Sequence, residues 1–116
     1  MRSTTTSRLS DGAVQIAPDG EIDVDNAYGI REAVAGQLPG PRPSRIELNL
    51  ESVTFIDSVG ISALVSAAQL ARVSGVELVI TRPSRFVHRQ LWITGLLGLF
   101  GSPEPWEVDQ PVGSGT

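Results

Sequence analysis

An aspartate and a serine, Asp57-Ser58, stand where an alternating stretch gives way to a helical pattern. Before them runs Arg45-Ile46-Glu47-Leu48-Asn49-Leu50, and after them helical spacing continues from Ser58 to about Val73. A serine at a helix start has three chemical uses. It can cap the helix, its oxygen accepting a bond from a free backbone N–H. It can carry a phosphate, because the first turn offers free N–H groups and a partial positive charge. It can serve as a nucleophile on a strand-to-helix elbow, G-x-S-x-G. The elbow fits poorly: Gly60 takes its last position, but Ile56 takes its first. The single histidine, His88, sits in another helical stretch beside Arg89. Capping and phosphorylation remain the two open uses.

Other chemistries lack their residues. The chain has no cysteine, which removes disulfides, thiol catalysis and Cys-based metal sites together. One histidine is too few for a histidine-rich metal site. Gly95-x-x-Gly98 lacks a P-loop lysine, and the chain contains no lysine at all. Asp19, Glu21, Asp23 and Asp25 do not continue into the terminal glutamate of a calcium loop. No cofactor or metal is expected. With a net charge of −4 and no basic stripe, nucleic acid is not expected as a direct partner. No apolar run approaches the ~20 residues of a membrane span. Arg2 to Ser7 is polar and is no signal peptide, so a cytoplasmic protein is expected. Nothing in the pattern sets an oligomeric state.

The elements that must hold Asp57-Ser58 follow from periodicity. At 116 residues, the chain reads as one domain over 1–101 and a flexible Pro/Gly-rich tail over 102–116, with Trp106 its one large anchor. Thr4–Leu9 reads as a polar edge strand, Asp11-Gly12 as a hairpin turn and Ala13–Ala17 as the returning strand, broken by Pro18-Asp19-Gly20. Asp25 or Asn26 caps a helix running to about Leu38, with Ala27, Ile30, Val34 and Leu38 inward. Strict alternation in Arg45–Leu50, and partial alternation in Val76–Thr81, means a sheet with one buried face. A doubly wound sheet would show near-continuous apolar strands instead. The expected fold is therefore a small mixed α/β sheet with helices mainly on one face. In the helix from Ser58, Ile61, Leu64, Val65, Ala68 and Ala71 make the inner stripe. Ala63, Ala67 and Leu70 lie opposite and read as a flat partner-docking patch. Ser74-Gly75 ends that helix, Ser84 caps a third with Val87 and Leu91 inward, and Gly95–Phe100 leads to a short last strand.

Phe55-Ile56-Asp57-Ser58-Val59-Gly60-Ile61 resembles the signature of the anti-sigma factor antagonists, bacterial members of the STAS domain family. Gly20-Glu21-Ile22-Asp23 is similar to their G-E-[LI]-D signature, and Ser84 through Leu96 to a third. The likeness runs from about Val14 to Phe100. It implies a mixed sheet with helices on one side and no enzymatic activity. It also implies an anti-sigma factor serine kinase that phosphorylates the residue matching Ser58, and a phosphatase that reverses this. The unphosphorylated antagonist binds the anti-sigma factor and frees a sigma factor. Asp23 and Asp57 match the family's acidic positions, and Asp23, Asp57, Ser58, Val59 and Gly60 become partner-binding residues beside the Ala63, Ala67 and Leu70 patch. Val59 departs from the Ser or Thr of many relatives, and Ile61-Ser62 from their Leu-Gly. Other family members are signalling scaffolds or sensors without phosphorylation, which is the alternative function.

Overall fold

The computed structural model of the chain describes residues 3–105. Strand β1 (Ser3–Arg8) turns back into β2 (Val14–Ile22) as an antiparallel hairpin. Gly12 takes φ 88°, and the Asp11 carboxylate accepts the Ala13 N–H at 3.1 Å. Strand β2 does not stop at Pro18 as expected; it continues to Ile22. The reason lies in its partners. Along one edge β2 pairs in parallel with β3 (Arg45–Asn49) over Val14–Ile16, then with β4 (Val53–Ile56) over Gly20–Ile22. Pro18, which has no N–H to donate, falls in the gap between the two ladders. Beyond it the Gly20 N–H donates to the Ser52 carbonyl at 3.0 Å, and the register shifts between Gly20 and Glu21.

Strand β5 (Glu77–Thr81) pairs in parallel with β3, giving the order β1-β2-β3-β5 with β4 beside the far half of β2. Val14, Ile16, Ile46, Leu48, Leu78 and Ile80 are buried, as alternation requires of one face. Helix α1 (Tyr28–Ala35) packs on helix α2 (Ser58–Val73), and α2 packs on β5. The open face carries a polar network. Arg45 donates to Glu47 at 2.8 Å and pairs with Asp11 at 2.9 Å. The Ala13 N–H and the Arg45 guanidinium hold the Asp11 carboxyl below its usual range, while Glu47 and then Asp11 raise Arg45. Asn49, only 5% exposed, is satisfied by Gln15 and Glu51.

The helices match expectation in their buried stripes more than in their ends. Ala27, Ile30, Val34 and Leu38 are buried. Neither Asp25 nor Asn26 caps α1, whose N-cap is Ala27 without a side-chain bond. Asn26 instead closes the preceding turn, accepting the Asp23 N–H at 3.0 Å and donating to the Glu21 carbonyl at 3.0 Å. On α2, Ala67 is 0% exposed and Ala63 and Leu70 are half-buried, which corrects the expectation of an exposed patch there. Because α2 contacts both α1 and the sheet, its buried arc is wider than a single stripe. Helix α3 (Arg85–Ile93) is capped by Ser84, which accepts the Val87 N–H at 3.3 Å. Its Phe86 ring lies 5.4 Å from that of Phe55 on β4. The turn expected over Gly95–Phe100 contains a 3₁₀ helix, Leu97–Phe100, whose Phe100 is fully buried, and among the described residues no strand follows it. Trp106 and the tail beyond it lie outside the described residues. Among those described, no helix is long and apolar enough to cross a membrane.

Candidate functional site

The parallel pairing of β4 with the end of β2 builds the site. Ile22 stands opposite Ile56, and the Asp57 N–H donates to the Ile22 carbonyl at 3.2 Å. Asp23 and Asp57 therefore leave the sheet from neighbouring strand ends, although a helix and a third strand separate them in sequence. Asp23 turns at once: its carboxylate accepts the Asp25 N–H at 3.0 Å, and its carbonyl accepts the Ala27 N–H at 2.8 Å. Asp57 remains extended at φ −100°, ψ −176° and starts α2.

Asp57, not Ser58, is the N-cap of α2. Its carboxylate accepts the Gly60 N–H at 2.8 Å, and its carbonyl accepts the Ile61 N–H at 2.9 Å. Reading Ser58 as the cap is corrected by one position. Ser58 is the first helical residue, exposed and outside the capping bond. Its hydroxyl stands at the positive end of a sixteen-residue helix, directly after the capping Asp57.

Gly60 fixes how closely that helix start approaches the sheet. A Cβ there would lie 2.6 Å from Ile56 Cγ1, 2.8 Å from the Ile22 carbonyl oxygen and 3.0 Å from Ile22 Cγ2. Gly60 is thus buried and acts by permitting contact inside the fold, while Ser58 and Val59 (44% exposed) face outward. Asp23 and Asp57 are half-buried. His88 lies on α3 in a hollow lined by Arg85, Phe86, Arg89 and Pro105, which does not include Ser58. Among the described residues, no group of three or more His, Cys, Asp or Glu could hold a metal.

One feature was not read from the pattern. Val24 is 68% exposed and Tyr28 65%, and both line a groove of about 300 Å³ with Val59 and Ala63. In the sequence, the visible signal is a valine set among acids at 23 and 25, and a tyrosine off the inner stripe of α1.

Comparison with known proteins places this geometry. The family model described as the STAS domain matches residues 5–110. The anti-sigma factor antagonist SpoIIAA in its unphosphorylated form matches with a TM-score of 0.72 at 19% identity, covering 92% of this chain and 90% of that one. The phosphorylated form of SpoIIAA, a Bacillus cell fate determinant, matches with a TM-score of 0.67 at 17% identity, over 98% of this chain and 100% of that one. An anti-sigma factor antagonist from Mycobacterium paratuberculosis matches with a TM-score of 0.71 at 22% identity, over 92% and 87%. At these identities the likeness establishes a shared fold.

Proposed function

This chain belongs to the STAS domain family, and on that premise we propose that it is an anti-sigma factor antagonist, a protein-binding switch set by phosphorylation of Ser58. The observation that carries the reading is the exposed Ser58 hydroxyl. Asp57 does the capping, so Ser58 is free to be modified without loosening α2. In the proposed cycle, an anti-sigma factor serine kinase binds the unphosphorylated chain and releases its sigma factor. The kinase then transfers the γ-phosphoryl group of ATP to Ser58 Oγ. ADP leaves, and the hydroxyl proton passes to a base on the kinase. A phosphatase restores the hydroxyl by hydrolysis. The circuit would operate in the cytoplasm, and the chain itself would catalyse nothing.

The electrostatics give the switch its direction. Phosphorylation adds about −1.5 to −2 charges. The helix start favours an anion by about 0.3–1 kcal/mol, which offsets repulsion from Asp57 and Asp23 within the chain. The kinase site that receives Ser58 Oγ also holds the phosphates of the nucleotide, so the added charge meets like charge there without that compensation, and like charges across an interface cost several kcal/mol. Release then needs no refolding. The test is intact-mass analysis of the protein isolated from its own cells, followed by peptide mapping. A species heavier by one phosphate at Ser58 is expected. Its absence under every growth condition, with the partner bound throughout, would leave a scaffold or sensor module without phosphorylation.

A further inference from the structure

Single exposed apolar side chains are ordinary on a protein surface; a cluster carries meaning. Val24, Tyr28 and Val59 are exposed and converge on the groove between α1 and α2. Small residues, among them Ala27, Ser62 and Ala63, line it as well. One wall carries Arg31, whose Nε donates to Ser66 Oγ at 3.0 Å. Val59 directly follows Ser58, and Ser62 stands one turn further along the same flank of α2. A macromolecule that reaches the Ser58 hydroxyl from this side must therefore cover the groove.

We propose that the groove receives an amphipathic helix of the anti-sigma kinase, which seats one large apolar side chain between Val24, Tyr28 and Val59. This rests on the phosphorylation reading above and adds how the partner is selected. Two packed helices with small residues facing outward leave a furrow that a third helix fills, ridge into groove. A space of about 300 Å³ lies at the lower end of the range for ligand pockets and holds an anchoring side chain with its neighbours. Charge sets the direction of the incoming helix. Its end near Ser58 faces Asp23, Asp25 and Asp57 and must be basic, while the end passing Arg31 must carry an acid. The apolar contact gives affinity and the two charged ends give register, so the groove discriminates among kinases that share the same chemistry at serine.

The experiment uses the full chain and a panel of purified anti-sigma-type serine kinases from the same organism. Phosphate transfer to Ser58 and binding are measured for wild type, Val24→Ser, Tyr28→Ser, Arg31→Glu and, as a control, Val73→Ser, which alters an 87% exposed valine at the other end of α2. With the kinase that acts on wild type, the three groove variants should each lose more than tenfold in kcat/KM, mainly through KM. Val73→Ser should be unchanged, and melting curves should show all four folded. Wild-type kinetics in Val24→Ser and Tyr28→Ser would overturn the proposal while leaving the switch intact. A wild-type dimer that dissociates in these variants would identify a second copy as the occupant and overturn it equally. If no kinase binds or modifies wild type, the phosphorylation reading falls and takes the groove with it.

Discussion

Replacing Gly60 by alanine should separate helix propensity from packing. On propensity alone the change is favourable by up to about 1 kcal/mol, since glycine is the poorer helix former. Packing opposes it. The new methyl group would stand 2.6 Å from Ile56 Cγ1 and 2.8 Å from the Ile22 carbonyl oxygen, well inside ordinary contact. Ile56 is a fully packed core residue. The Ile22 carbonyl is fixed by the Asp57 N–H and by the β2–β4 ladder. Neither neighbour yields without moving the start of α2 or the end of β4. Overpacking of this kind costs about 1–3 kcal/mol, and contact with fixed backbone puts Gly60→Ala at the upper part of that range, about 2 kcal/mol net. At about 4–8 °C per kcal/mol for a domain of this size, Tm should fall by roughly 10 °C. Thermal and urea unfolding followed by circular dichroism read this directly, with the urea slope unchanged. A Tm equal to or above that of wild type would refute the close-approach reasoning, because propensity would then have won.

Further outcomes follow from the same structure. Asp57→Ala should cost about 1 kcal/mol through loss of the cap, whereas Ser58→Ala should leave Tm unchanged and abolish phosphate incorporation; paired melting curves and kinase assays check both. Ala67→Arg should cost at least about 3 kcal/mol because it places a charge in the core, and the measurement is the urea midpoint. Asp11 has a folded pKa below its ordinary 3.8. Its stabilising contribution is therefore complete above pH 3.8 and is lost as pH falls through the lower folded value. Asp11→Asn should make the acid side of the stability profile shallower, by a small amount because the pair is exposed; identical profiles would remove the ion pair from the balance.

Much of the fold was legible because periodicity survives in single segments. The alternation of Ile46 and Leu48 gave a one-faced sheet, and the spacing of Val87 and Leu91 gave the buried side of α3. Features set by pairing between distant segments were not legible. The four residues of β4 show no pattern of their own, and their role appears only when they lie beside Gly20–Ile22. Pro18 looked like a strand end because the gap between two ladders is a tertiary fact. Asp57-Ser58 stands out as a pair in the sequence, but the backbone angles at Asp57 decide which of them caps. A single stripe, sufficient for one packing partner, puts Ala67 outward, and α2 has two partners. The groove beside Tyr28 arises from the packing of α1 on α2 and has no counterpart in either helix alone.

The meeting of Asp23 and Asp57 at adjacent strand ends has a consequence for signalling. The surroundings of Ser58 exist only when β2 and β4 are joined. A nascent, misfolded or cleaved copy still contains the Asp57-Ser58 pair, but Asp23 is then remote from it. On the proposed function, a kinase reading both segments responds to assembled molecules alone. What it reports is the competent stock of antagonist in the cell, not the quantity synthesised, so damaged copies fall out of the tally without a separate inspection step.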